Sequence, residues 1–182
     1  MIEIRIHGRG GQGAVTTGQI MAIAAFYDGK QSQTFPSFGV ERAGAPVTAF
    51  ARIDSSTINL RTQVYNPDVV LILDSSLISA VNVTDGLKPG GKVIINTNKD
   101  KKTLGIDPRF EVHAVDAARI AMEIFKRPIV NTPMLGAFAK VTGLFTLESL
   151  KKAIDEKFIY GKGQKLADLN KQAIEKVFNE TT

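Results

Sequence analysis

The 182-residue chain contains no cysteine, which excludes disulfides, thiolate metal sites and iron–sulfur ligation from its own residues. Any such cluster working with this chain must sit in a partner. Histidine is nearly as scarce, with two in all, His7 and His113. Neither stands at a spacing to a carboxylate or a serine that fits a hydrolytic triad, no metal-ligand spacing occurs, and no Gly-x-x-x-x-Gly-Lys-Ser/Thr phosphate loop is present. His7 closes a predicted strand in a position to face a ligand, whereas His113 lies inside one and reads as a structural residue. Apolar runs fall short of the roughly 18 residues of a membrane span, and no basic, apolar and small-residue succession opens the chain. A cytoplasmic protein without membrane contact is expected. The net charge of +5 is modest, and a dense basic stripe interleaved with aromatics, the footprint of a nucleic-acid groove, is missing. We therefore assign no catalytic residue and no metal ligand, which points to a subunit that binds and positions something while a partner holds the reactive cofactor.

What the chain does have is concentrated at its start. Ile2, Ile4 and Ile6 alternate as a short strand, His7-Gly8-Arg9-Gly10-Gly11-Gln12-Gly13 follows, and residues 14 to 26 run without proline or turn signal as a helix. Gly8, Gly10 and Gly13 fit the G-x-G-x-x-G spacing, in which glycine permits a sharp turn, close approach of a ligand to the backbone, and tight helix–strand packing. The free N–H groups and partial positive charge of that helix start suit a phosphate. An acidic side chain at the end of the second strand, which would hold a ribose, is absent. Asp28 lies in the turn before that strand, so NAD or FAD in the usual mode is not expected.

A second candidate is the loop from Phe35 to Val47, with two prolines, two glycines, the adjacent pair Glu41 and Arg42, and two phenylalanines, Phe35 and Phe38. It reads equally as a rigid connector and as a site. Its aromatics are expected to be covered by the core or by another subunit. Downstream, residues 46 to 53 alternate as a strand, and Thr57 to Arg61 is a possible hairpin partner for it. The apolar runs 69 to 73 and 92 to 96 have the look of strands buried on both faces of a parallel sheet, and residues 110 to 115 form a last strand. Ser75 or Ser76 is placed to cap a short helix, and Asp116 to cap a helix over 117 to 125. Asn131, Thr132 and Pro133 open another helix, with Asn131 or Thr132 placed to accept its free N–H groups, and apolar spacing marks two more, one begun by Thr146 and one through Leu166, Leu169, Ala173 and Val177. This alternation predicts one α/β domain over residues 1 to 182: an open, mostly parallel Rossmann-like sheet flanked by helices, with a possible antiparallel hairpin.

Three of these motifs together carry a resemblance. The glycine cluster, then Phe38-Gly39-Val40-Glu41-Arg42-x-Gly44-Ala45-Pro46-Val47, then Asn131-Thr132-x-x-Leu135-Gly136-Ala137 resemble the gamma subunit of 2-oxoacid:ferredoxin oxidoreductases, most closely the pyruvate type. Where the family often has a second basic residue, this chain has Ala43. The resemblance implies a complex with alpha, beta and delta partners that decarboxylates pyruvate on thiamine diphosphate, passes electrons through iron–sulfur clusters to ferredoxin, and forms acetyl-CoA. Thiamine diphosphate and the clusters would belong to the partners, in keeping with the lack of cysteine and of a Gly-Asp-Gly thiamine motif here. The gamma chain would contribute coenzyme A binding and assembly. Carried over, Gly8, Arg9, Gly10, Gly11, Gln12 and Gly13 would line the cleft, Gln12 and Asn131 would supply polar contacts, and Arg42 would face a phosphate. A branched-chain 2-oxoacid is the alternative substrate, and a stand-alone nucleotide-binding or regulatory module is the alternative function.

Overall fold

A computed structural model describes residues 1–37 and 42–182, with residues 160–162 described in their backbone alone. Six strands and five helices alternate: β1 (Ile2–Arg9), α1 (Ala14–Tyr27), β2 (Gln31–Pro36), β3 (Pro46–Asp54), β4 (Val69–Ile72), β5 (Lys92–Asn96), β6 (Glu111–Val115), α2 (Ala117–Phe125), α3 (Met134–Thr142), α4 (Leu147–Lys162) and α5 (Gln164–Glu180). The strands form one sheet in the order β2, β3, β1, β4, β5, β6. Parallel pairing joins β1 to β4, β4 to β5 and β5 to β6, while β3 runs antiparallel between β2 and β1. The sheet is thus mixed and mostly parallel.

Alternation along each strand sends successive side chains to opposite faces, and the two faces are covered differently. Ile4, Ile6, Val69, Leu71 and Ile94 join a core to which all five helices contribute, among them Ile20 and Met21 of α1, Ile120 of α2, Phe138 of α3, Ile154 of α4 and Ile174 of α5. On the other face Val70, Ile72, Val93 and Ile95 pack against Leu77, Val83, Leu87 and Leu104, which come from turns and short 3-10 segments. Glycine permits a close approach between α3 and α5. A Cβ on Gly136 of α3 would overlap the backbone carbonyl of Ile174 in α5.

Three local expectations differ from the structure. Thr57 to Arg61 is not a strand. The backbone here is held by side chains instead: Gln33 Nε2 donates to the Leu60 carbonyl, Arg52 to those of Thr62 and Gln63, and Arg5 to those of Val64 and Tyr65. Those carbonyls are satisfied without a ladder, so the antiparallel element is the β2–β3 hairpin, whose β3 also pairs with β1. The 3-10 turn at Ser75–Ser79 is capped by Asp74, whose side chain accepts from Ser76 N, and not by either serine. The third difference is at α3, where Pro133 is the N-cap and no side chain caps the helix, so Asn131 and Thr132 start the turn through their backbone alone. Asp116 and Thr146 do cap α2 and α4 as their sequence positions imply.

Candidate functional site

The motif His7 to Gly13 begins inside the sheet, because β1 continues to Arg9. Gly8 sits where a Cβ would come to 3.4 Å from both Ala14 of α1 and Leu73, an ordinary contact, so it packs between helix and strand without being forced to be glycine. Gly10 exchanges hydrogen bonds with the following loop, its N–H donating to the Ala45 carbonyl at 2.9 Å and its carbonyl accepting from Gly44 at 3.1 Å. A Cβ on Gly10 would run into the Arg42 carbonyl. The close backbone approach expected at this glycine is made by the chain itself.

Gly11 and Gly13 turn the chain into α1 with φ of 92° and 80°, the left-handed region that glycine adopts freely. Gly13 is the N-cap of α1, no side chain caps that end, and no acidic residue lies in its first turn. The first N–H groups of a helix have no intrahelical acceptor, so this end carries unused donors and the positive end of the helix dipole. Asn131 stands against it, with Nδ2 2.7 Å from where a Gly13 Cβ would be. Thr17 ties the two together, its hydroxyl lying 3.0 Å from the Gly13 carbonyl and 3.4 Å from that of Asn131.

A cleft of about 430 Å³ opens at this helix start. Gly11, Gln12, Gly13, Thr16, Asn131 and Asn170 make a polar side, and Phe125, Ile129, Phe158 and Leu166 an apolar one. Among the described residues, none that lines it is charged. Of the eight positions carried over by resemblance, the structure brings together Gly11, Gln12, Gly13 and Asn131. Gly8, Arg9, Gly10 and Arg42 are not in the lining. Gly8 and Gly10 pack against their own chain as described, Arg42 is exposed in the loop beside Gly10, and Arg9 is committed elsewhere. Its Nε lies 3.2 Å from Asp74 Oδ2, its Nη1 donates to the Gly44 carbonyl at 3.0 Å and its Nη2 to Ser76 Oγ at 2.8 Å. Gln12 also turns inward, with Oε1 accepting from Arg9 N–H at 2.7 Å and Nε2 donating to Asp74 Oδ2 at 3.0 Å. Burial opposes ionisation of Asp74, but hydrogen bonds from Ser76 and Gln12 and the charge of Arg9 outweigh it and hold its pKa below the ordinary carboxylate value.

His7 does not face the cleft. It alternates with Ile6 to the opposite side of the sheet, is buried, and keeps an Nε2 with no hydrogen-bond partner among the described residues. Burial first, then the neighbouring charge of Arg5, push its pKa down to about 4, against a hydrogen bond with the Val83 backbone, so the ring is neutral. His113 bridges the Thr182 carbonyl at 2.9 Å and Glu111 at 2.7 Å, a structural pairing. Phe35 packs with its ring tilted against Phe50, centroids 5.4 Å apart, and lies under the Arg52 guanidinium, so its own chain covers it in part; Phe38 and Glu41 lie outside the described residues. Larger exposed apolar side chains are Phe26 and Tyr65, 71% and 67% accessible. Sequence reasoning missed Asp74, Thr16 and Asn170. For Asn170 a signal existed, since it falls on the stripe set by Leu166, Ala173 and Val177 and is nonetheless polar; its Nδ2 donates to the Leu166 carbonyl.

The model of the pyruvate ferredoxin/flavodoxin oxidoreductase family matches residues 3–180. The chain belongs to that family. Within it, the chain is 56% identical over 180 residues to pyruvate synthase subunit PorC of Methanocaldococcus jannaschii, an alignment covering 99% of this chain and 97% of the relative. It is 55% identical over 185 residues to the pyruvate/ketoisovalerate oxidoreductases common subunit gamma of Thermococcus kodakarensis, covering 100% and 97%. Its fold matches the crystal structure of pyruvate oxidoreductase subunit PORC from Thermotoga maritima with a TM-score of 0.86 at 40% identity, again over 100% and 97% of the two chains. The chain is accordingly a gamma-type subunit of a multi-subunit 2-oxoacid:ferredoxin oxidoreductase. No helix among the described residues is long and apolar enough to cross a membrane.

Proposed function

We propose that this chain is the gamma subunit of a pyruvate synthase complex in the cytoplasm, and that its cleft takes part of coenzyme A while alpha, beta and delta partners hold thiamine diphosphate and the iron–sulfur clusters. One observation carries the reading. The cleft joins an uncapped, glycine-turned helix start to an apolar wall in a chain with no cysteine. Unused N–H donors and the helix dipole favour a phosphate at one end, and Phe125, Ile129, Phe158 and Leu166 offer an apolar arm somewhere to lie. Among the described residues no carboxylate lines the cleft, so an anionic ligand meets no like charge from them. Coenzyme A supplies the thiol that accepts the acyl group; this chain's part is to bind and orient it. Gly11 leaves its backbone open, and Asn131, packed against Gly13, and Thr16 add neutral polar contacts. Arg42, outside the lining, drops out of the proposed set.

A second substrate reading has its own support. The Thermococcus kodakarensis relative is named as common to pyruvate and ketoisovalerate enzymes, so a chain of this kind is compatible with a branched-chain 2-oxoacid and substrate choice falls to the partners. The rival of a stand-alone nucleotide-binding or regulatory module is separated by reconstitution. The purified chain alone should give no pyruvate-dependent reduction of a viologen dye, and activity should appear on mixing with the three partners. Turnover by the lone chain, or a complex whose activity is the same without it, would refute the subunit assignment.

A further inference from the structure

We infer that Asp74, at the carboxyl end of β4, is a positioning residue for the cleft, acting through Gln12 to fix the backbone of the glycine loop. The inference deepens the coenzyme A reading in one respect and rests on it there: the loop so fixed is the one that reading gives to the ligand. Asp74 is a hub. Its Oδ2 accepts from Gln12 Nε2 at 3.0 Å and Arg9 Nε at 3.2 Å, and its Oδ1 accepts from Ser76 N at 3.0 Å and Ser76 Oγ at 2.6 Å. Gln12 closes a ring with it, because its Oε1 takes the Arg9 N–H at 2.7 Å and its own N–H donates to the Arg9 carbonyl at 2.9 Å.

The donors and acceptors leave no freedom in this ring. A backbone N–H only donates, so Gln12 must turn its oxygen to Arg9 and its NH2 to residue 74, and residue 74 must then present an acceptor. Both polar atoms of Gln12 are used inside the protein. Gln12 therefore shapes the cleft wall by where it holds Gly11 and Gly13, whose positive φ makes the turn free to collapse or shift once that hold is lost. An aspartate is the residue that accepts on both sides at once, toward Gln12 and Arg9 and toward Ser76.

Asp74→Asn breaks this pattern without changing shape. If its oxygen stays with Ser76, its NH2 meets two donors, Gln12 Nε2 and Arg9 Nε, and flipping Gln12 only moves the conflict to the Arg9 N–H. Gln12→Glu breaks it differently, setting one carboxylate against another. The double variant repairs the contact with position 12, while Arg9 Nε is left with its other acceptor, Ser76 Oγ at 3.3 Å. The glutamate introduced at position 12 accepts from Arg9 N–H with one oxygen and, with the other, from the NH2 of the asparagine introduced at position 74, whose own oxygen keeps Ser76.

The test uses the reconstituted complex with the wild-type chain, the two single variants, the double variant and Asn131→Ala, which lines the cleft outside the ring. Amide exchange over residues 9–12 should quicken about tenfold in each single variant, the loss of roughly one charge-assisted hydrogen bond, and return toward wild type in the double. The KM for coenzyme A should rise by about the same factor and recover in the same order, with pyruvate-dependent radical formation unchanged. A merely structural role would not produce recovery by a second charge change. Unaltered exchange in Asp74→Asn, or no recovery in the double, would overturn the inference. If exchange quickens but only Asn131→Ala raises KM, Asp74 does not position the cleft and the inference is again overturned. Quickened and recovered exchange with KM unmoved in every variant would uphold the hold on the loop and remove coenzyme A from the cleft.

Discussion

Alanine at positions 10 and 11 is the same chemical change one residue apart, and the structure makes each costly for a different reason. At Gly10 a Cβ collides with the backbone carbonyl of Arg42, which no rotamer can relieve; the loop returning to β3 must move, at about 1–3 kcal/mol or more, the usual range for overpacking. At Gly11 a Cβ meets nothing within 4 Å, but φ is +92°, so alanine carries only the left-handed penalty of about 1–2 kcal/mol. Thermal unfolding of the chain should then show Gly11→Ala lowered by roughly 2–8 °C, at 2–4 °C per kcal/mol for a chain of this length. Asparagine tolerates that region, so Gly11→Asn should recover most of this loss. It still places a side chain in the cleft that Gly11 lines, and so should weaken the ligand without weakening the fold. Stability and binding come apart only if the backbone at Gly11 faces the ligand. A Gly11→Asn chain less stable than Gly11→Ala, or a Gly10→Ala chain as stable as wild type, would refute this reasoning.

Three further outcomes are expected. His7 has a folded pKa of about 4 against 6.5 when free, so the unfolded chain binds the extra proton; stability is fully present above pH 6.5 and falls by roughly 3 kcal/mol as pH drops to 4. In urea titrations His7→Gln should lose that slope, and a slope equal to wild type would place the titrating group elsewhere. Gly136→Ala forces a methyl into the Ile174 carbonyl and should separate α3 from α5, cutting the unfolding midpoint or the soluble yield sharply; a variant within a degree of wild type would contradict the helix crossing. Arg42→Ala should leave the coenzyme A requirement within about twofold, since no charged contact of about 1.5–3 kcal/mol is lost from a cleft that Arg42 does not line. A tenfold rise would return it to the site.

The strands and helices were legible from alternation, from continuous apolar runs, from cap residues and, for α1, from an unbroken stretch without proline or turn signal. Val69 to Ile72 is apolar throughout and is buried on both faces, and Asp116 and Thr146 stand where caps are needed. What periodicity could not convey is that Arg5 and Arg52, charged residues inside strands, are buried and serve as forks for a segment without secondary structure. An alternating polar residue in a strand looks solvated until something covers it. The glycine motif was legible as a strand–turn–helix, yet its roles divided: Gly10 accommodates the chain's own carbonyl, and Gly11 and Gly13 turn it. Gln12 and Arg9 looked like ligand groups because they flank glycines, and the hub that claims them, Asp74, lies 62 residues further on from Gln12. The apolar cleft wall comes from α2, α4, α5 and the loop after α2, and no local pattern announces it.

The most direct measurement follows the two halves of the reaction separately in the complex carrying Asn131→Ala or Gly11→Asn. On the proposed reading, pyruvate-dependent radical formation on thiamine reports the partners, and acetyl-CoA production at varied coenzyme A reports the cleft. The expected result is an unchanged first half and a KM for coenzyme A raised about tenfold or more by loss of about 1.4 kcal/mol of binding. Equal loss of both halves, or a KM that does not move, would show that this chain supports assembly and that coenzyme A binds on another subunit.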